Sequence, residues 1–347
     1  MRVRIHILER APFLAVALLV VLAPGIRAQE TVNYFGPLDS PLGIRSVGMG
    51  ETGVADNSDP ANVWFNPANV VSRPRAYLHG ERWEWVEALE MTTGGGGGSW
   101  GNTIGSRRYT FGLDFTAGTL ALTDSARTIY LPGRSVNAGN EYYWAVAAGV
   151  GTVLGERWET RLGVAVRHFW DEDTAPDPHS GSGFDVGATV AYPATVSGWS
   201  VTPAAAIAFV NLGGPLEETS QYELALPARF DYGLSVRVES PHVTVAEASV
   251  PLLAFTCNLD GMDRYKGGRE RWTFGGELAV AQIFFLRAGA GLNDTDSPYV
   301  EDVSAQSAYG VGLGVPFGPI LLRFDYARIP ILRDPDRFGL LLMYGGL

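Results

Sequence analysis

The chain has 347 residues, of which 26 are Lys or Arg and 37 Asp or Glu. It is 46% hydrophobic, 18% charged and 11% aromatic, and carries 43 Gly and 21 Pro. Such apolar content excludes a disordered chain, and the Gly and Pro load fits strands and turns, not a helical bundle. The acidic balance excludes nucleic acid as a natural partner, and a lone cysteine, Cys257, leaves no disulfide framework and no zinc-like spacing.

In chain order, Arg2, Arg4 and Arg10 precede an apolar run from Phe13 to Ala23, then Pro24, Gly25 and Ile26-Arg27-Ala28. This is the pattern of a secretory leader cleaved after Ala28, and its run is too short for the ~20 residues of a spanning helix. Cleavage at that point leaves 319 residues, with 36 acidic against 22 basic.

Residues 29–74 precede the first expected strand and contain a repeat of seven, Asp59-Pro60-Ala61-Asn62-Val63 followed by Asn66-Pro67-Ala68-Asn69-Val70. Each copy reads as an N-cap with proline at the first helical position, so two short helical turns are expected, with Trp64 and Phe65 anchoring them to a wall. Gly48, Gly50 and Gly53 match a GxGxxG string. No strand leads into it and Asp56 to Pro60 break any following helix, so a Gly-rich bend is expected there, not a dinucleotide site.

From residue 75 onward apolar and polar residues alternate. Phe230, Leu234 and Val236 oppose Asp231, Ser235 and Arg237; Tyr109, Phe111, Leu113 and Phe115 oppose Thr110, Asp114 and Thr116; Ile320, Leu322 and Phe324 oppose Arg323 and Asp325. One apolar and one polar face is the dyad of a membrane barrel, with the apolar face toward lipid. The uncharged stretch from Val186 to Leu216 is broken by Pro193, Gly198 and Pro203 and reads as a hairpin instead of a helix. The expected strands are 75–85, 95–104, 107–117, 140–153, 157–170, 183–193, 199–210, 228–239, 241–251, 270–281, 283–293, 304–315, 319–329 and 337–346, about fourteen in all. The run Gly94 to Gly98 is the weakest strand signal. Short links alternate with long ones, including a long loop over Leu252–Arg269, which puts both chain ends on the short-turn side. Trp144, Trp158, Trp170, Tyr192, Trp199, Trp272 and Tyr344 fall near strand ends, where interfacial girdles sit. The fold class is therefore all-β: a single antiparallel barrel over 75–347, preceded by a lumenal segment.

The segment Ser46 to Ala68 resembles the N-terminal motif shared by PorV/PorQ-type proteins and FadL-like fatty-acid channels, in which a Gly-rich stretch leads through Val-Ala and an acidic turn to Asn-Pro-Ala. The Gly48-Met49-Gly50 version and the last strands are more similar to PorV. Two positions depart from the pattern, Asn69 in place of a common glycine and Leu347 in place of a terminal aromatic. The resemblance implies a fourteen-stranded outer-membrane barrel with an N-terminal hatch formed by Gly48, Gly50, Gly53, Asp59, Pro60, Asn66, Pro67 and Ala68.

No catalytic constellation stands out, and no cofactor or metal is expected. His79, His168, His179 and His242 are scattered, and the acidic groups Asp171-Glu172-Asp173 with Asp177, and Asp294 with Asp296, read as solvated loops. The candidate functional residues are polar groups on the lumen face: Asp114, Arg161, Arg167, Arg229, Asp231, Arg237, Glu239, Glu277, Arg287, Arg323 and Asp325. Their mixed signs suit a network pinning the hatch, or else a polar path. Because the lumen faces read as small or charged, the leading expectation is a PorV/PorQ-type barrel in type IX secretion. Its partners are then outer-membrane lipid, secreted cargo proteins and the secretion machinery. The alternatives are a FadL-like channel for long-chain fatty acids or other hydrophobic small molecules, and a purely structural barrel.

Overall fold

The computed structural model describes residues 33–34, 42–71, 76–86, 89–122, 140–155, 157–171, 180–213, 217–218, 223–226, 228–264, 270–293, 306–329 and 336–345. The expected leader and most of the acidic loop groups lie outside these residues. Fourteen antiparallel strands form the barrel: β1 (Ala76–Val86), β2 (Leu89–Ile104), β3 (Arg107–Leu122), β4 (Glu141–Leu154), β5 (Trp158–Asp171), β6 (Ser180–Ala191), β7 (Trp199–Leu212), β8 (Arg229–Glu239), β9 (Leu253–Arg264), β10 (Glu270–Val280), β11 (Phe284–Asn293), β12 (Gln306–Phe317), β13 (Ile320–Arg328) and β14 (Asp336–Tyr344). Each pairs with its sequence neighbour, and β14 pairs with β1 from Ala76↔Tyr344 to Trp83↔Arg337. Closure leaves no unpaired sheet edge, the condition for a β-structure to cross lipid.

The sidedness of the wall is inverted relative to a water-soluble barrel. Leu113, Phe115, Leu162, Val164, Leu234, Leu286, Phe324 and Phe338 face outward and are exposed, while Asp114, Arg167, Asp231, Glu277, Arg287, Arg323 and Asp325 face inward and are buried. Along β5 the alternation is strict: Arg161, Ala165 and Arg167 buried, Leu162, Val164 and Val166 exposed. Tyr142 and Trp170 stack 5.2 Å apart at the long-loop end, and Trp158 and Tyr192 pack 4.7 Å apart at the short-turn end. These rings, with exposed Trp199, Trp272 and Tyr344, lie at the heights expected of interfacial girdles. His168 belongs to the outer one, with Nδ1 2.9 Å from Ser182 Oγ.

Two strand expectations need correction. Residues 241–251 do not cross; they form a small hairpin of His242–Val245 and Ala248–Pro251 at the short-turn end, and the ninth crossing strand is β9, within the stretch expected to be a long loop. The turn at Ala246 and Glu247, both at positive φ, interrupts what reads as one apolar run. In β9, exposed Phe255, Cys257 and Leu259 alternate with buried Thr256, Asn258 and Asp260, a polar inner face that resembles loop composition. The two errors cancel, which keeps the count at fourteen. The glycine run, the weakest strand signal, is part of β2, which begins at Leu89, six residues before the expected start. A Cβ at Gly95 or Gly97 would collide with His79 Nε2 or Tyr77 Oη of the neighbouring strand, so these glycines make room for inward rings.

Residues 42–71 run inside the ring of strands. They contain one short helix, α1 (Ile44–Gly48), and two 3-10 turns, Pro60–Trp64 and Pro67–Val70. Asp59 and Asn66 cap the turns, their side chains accepting from Ala61 N and Ala68 N at 2.9 Å. This is the geometry the seven-residue repeat encodes. The segment circles the wall in reverse strand order. Ile44 sits on Gly339 of β14, Gly48 on Gly310 of β12, Met49 on Gly289 and Gly275 of β11 and β10, Val54 on Gly233 of β8, Asn66 on Gly187 of β6, Pro67 on Gly163 of β5, and Val70 on Gly149 and Gly112 of β4 and β3. At most of these wall positions a Cβ would overlap the segment's own atoms, so glycine is what permits so close a seat.

Candidate functional site

The lumen is the site, and its two ends differ. Toward the short-turn end, seven buried charged groups form a chain, four on β10, β11 and β13 and three on the inner segment. Asp56 Oδ2 accepts from Arg45 Nη1 at 2.5 Å, and Arg45 Nε donates to Glu277 at 2.9 Å. Glu277 Oε2 also accepts from Arg287 Nε at 2.7 Å, Arg287 Nη1 donates to Asp325 Oδ1 at 2.7 Å, and Asp325 Oδ2 accepts from Arg323 Nε at 2.6 Å. Arg323 Nη2 donates to Asp59 Oδ2 at 2.5 Å, which brings the chain back to the inner segment. Burial works to raise the Asp56 carboxyl, but Arg45 and the donors of Ser58 hold it below the usual carboxylate range. Asp59 is also held low, by Arg323 and Arg45 against its burial. Both stay ionised, so the inner segment is tied to the wall by buried charge-assisted bonds.

Other ties lie around the wall. Asp260 Oδ2 accepts from the backbone N–H groups of Gly53 (2.6 Å) and Val54 (3.0 Å), Glu81 Oε2 accepts from Gly43 N (3.0 Å), and Arg271 pairs with Glu51. Asn66 Nδ2 donates to Val54 O (3.0 Å) and Thr189 Oγ1 (3.1 Å), and Ser46 Oγ bonds Asn62 Oδ1. On β5, Arg167 donates from Nε to Asp185 Oδ2 (2.6 Å) and from Nη2 to Trp64 O (2.8 Å), with its guanidinium 3.9 Å from the Trp64 ring centroid.

Toward the long-loop end, the β1 to β5 side of the lumen carries an apolar cluster. Inward-facing Trp83 (β1), Met91 (β2), Leu120 (β3), Tyr143 (β4) and Phe169 (β5) form one cluster with Leu42, Val54, Trp64 and Phe65 of the inner segment and Leu226. Trp64 and Tyr143 rings are 5.3 Å apart, and Tyr143 Oη donates to Thr93 Oγ1 at 2.5 Å. On this side the lumen departs from the expectation of faces that are largely small or charged. Each strand contributes a single apolar residue near its end to the cluster, so no linear pattern announces it.

Two cavities adjoin the inner segment. A narrow cleft of about 360 Å³, counting its opening, lies beside the cluster between Leu42, Val63, Trp64 and the wall residues Ala145, Ala147 and Ala165, with His79, Asp114 and Thr116 at one end. A polar cavity of about 680 Å³, counting its mouth, lies at the short-turn end between Arg45, Ser58, Arg237, Glu239, Glu277 and Arg323.

The expected lumen residues therefore group as follows. Arg287, Arg323, Asp325 and Glu277 join the ionic chain, and Arg167 holds Trp64. Arg229–Asp231 (2.9 Å), Arg237–Glu239 (2.8 Å) and Arg161–Glu159 (2.6 Å) are local pairs two residues apart on one strand face. Asp114 accepts from Tyr77 Oη (2.6 Å) and Thr116 Oγ1 (3.0 Å). Of the hatch motif, Gly48 and Gly50 make close wall contacts, a Cβ at Gly53 would strike Asn62, and Asp59, Asn66 and the two prolines build the capped turns. Ala68, fully buried, belongs to the second turn. Sequence reasoning missed Arg45, Asp56, Glu81, Asp185 and Asp260. Arg45 and Asp56 flank the Gly-rich bend, where charge at a spot with no room for solvent was the available signal. No cluster of metal-ligating side chains occurs among the described residues.

A closed fourteen-strand barrel with a lipid-facing apolar exterior defines a bacterial outer-membrane protein. No known family model and no curated protein matches the sequence. Among solved structures, the deltaS2 mutant of TodX, a monoaromatic hydrocarbon channel, is similar with a TM-score of 0.51 at 10% identity, over 88% of this chain and 98% of that one. The Pseudomonas putida toluene transporter TodX gives 0.48 at 11% identity over 92% and 100%, and a Pseudomonas aeruginosa FadL homologue 0.45 at 11% over 93% and 100%. At such identity the first likeness speaks to the fold alone.

Proposed function

We propose that the protein is a passive outer-membrane channel for hydrophobic small molecules, and not an enzyme, with residues 42–71 as its hatch. The carrying observation is the apolar cluster at the long-loop end of the lumen, where Trp83, Leu120, Tyr143 and Phe169 meet Trp64 and Leu42. A general porin needs a wetted lumen, whereas an apolar mouth draws its free energy from removing a solute's surface from water, about 25 cal/mol per Å². The likeness in fold to a hydrocarbon channel supports the same reading. The hatch then sits between this mouth and the periplasm, and its ionic chain sets the cost of opening.

The secretion reading draws on the Ser46–Ala68 motif, and one experiment separates the two. The protein is purified from its own outer membrane in mild detergent and whatever co-purifies is identified by mass spectrometry. The expected result is fatty acids or other apolar small molecules at near-stoichiometric levels. Stoichiometric secreted proteins sharing one C-terminal domain, without such molecules, would overturn the channel reading in favour of cargo binding.

A further inference from the structure

The hairpin His242–Pro251 has no part in closing the wall, yet it is ordered against the barrel. Its Ala248 and Val250 are buried and their partners Val245 and Val243 half-buried, while His242, Thr244 and Ser249 face out, so one of its faces is packed. At its tip, Ala246 O accepts from Gly318 N at 3.1 Å, in the turn between β12 and β13. The hairpin springs from β8 and β9. From β9 to β12 is three strand spacings, roughly 14 Å, and a four-residue arm extends about 13 Å. An arm of that length reaches Gly318 only by folding flat against the barrel end; pointing away into solvent it would miss. Its base residues His242 and Pro251 also line the polar cavity, opposite Arg45 and Ser58 of the inner segment and Glu277 and Arg323 of the wall.

We propose that this hairpin is a periplasmic flap, a second closure in series with the hatch, and that the polar cavity beneath the ionic chain is the antechamber a molecule crosses last. The inference rests on the channel reading, and it places the final barrier at residues 242–251, away from the hatch.

The test uses the full chain with Cys257→Ser and Ser58→Cys, so that the one thiol lines the cavity. Its rate of modification by a charged methanethiosulfonate reagent is measured in detergent. Two flap variants are compared with the parent: one replaces residues 242–251 by Gly-Asn, and Ala246→Pro forces the turn away from its φ of 44°. A heat-modifiable band on a gel confirms that each barrel is folded. The expected result is a rate at least about tenfold higher in both variants, with planar-bilayer conductance still closed because the hatch remains. Rates equal to the parent's in both folded variants would overturn the flap alone. A raised rate with no oleate flux into intact cells, even after Arg323→Ala cuts the ionic chain, would overturn instead the channel reading beneath it.

Discussion

The long-loop end of the lumen on its β1 to β5 side and the short-turn end on its β10 to β13 side are made from opposite chemistry. Above, single apolar side chains from β1 to β5 converge on Trp64 and Leu42; below, Arg45, Asp56 and Asp59 are wired to Glu277, Arg287, Arg323 and Asp325. The difference teaches how one short segment can be both seat and bolt. The apolar contacts are non-directional and tolerate exchange of one apolar group for another, which is what the proposed channel would ask of its mouth. The ionic contacts are directional and leave a large penalty when halved, which suits a lock.

That contrast can be broken most severely from the charged side. Arg287→Ala strips both Glu277 and Asp325 of a partner at once. It should cost about 3–5 kcal/mol in urea unfolding followed by loss of the heat-modifiable band. A change below about 1 kcal/mol would mean that water already screens the chain. At the apolar end, Leu120→Ala should cost about 2–4 kcal/mol by the same assay. It should also leave the hatch as resistant to added protease as in the parent, since no directional contact is lost. Protease cleavage within residues 42–71 of this variant would contradict the division of labour.

A smaller effect is expected from Asn66→Ala, which removes the cap of the second turn and the bond to Thr189: about 1 kcal/mol. Least of all is the response to pH near neutrality. Asp56 and Asp59 have lowered pKa values in the folded state, so their contribution is fully present above the ordinary carboxylate value, about 3.9, and is lost as pH falls through the folded values below it. The difference in urea midpoint between the parent and an Asp56→Asn, Asp59→Asn variant should be constant from pH 8 to 5 and shrink only below about pH 4. A midpoint that moved between pH 7 and 5 in the parent but not in an Asp56→Asn, Asp59→Asn variant would place their titration elsewhere.

The barrel was legible because alternation is local: each strand shows its lipid face in a few consecutive residues, as Leu162, Val164 and Val166 do. The capped turns were legible for the same reason, since Asp59-Pro60 and Asn66-Pro67 carry the cap and the first helical position together. β9 was not, because Asn258 and Asp260 satisfy the inner segment and, with buried Thr256, give the strand a polar face that looks like a loop. The apolar mouth and the ionic chain were only half legible. Their members are up to 264 positions apart, as in Asp59 and Arg323, and meet only after closure of the ring.

The measurement that bears most directly on the hatch is planar-bilayer conductance of the chain with residues 242–251 replaced by Gly-Asn beside the same variant also lacking residues 42–71, both shown to be folded by heat-modifiable mobility. The expected result is a silent barrel while residues 42–71 are present and stable open steps once they are removed. A barrel that conducts equally with and without them, or a folded double deletion that stays silent, would contradict a lumen closed by residues 42–71.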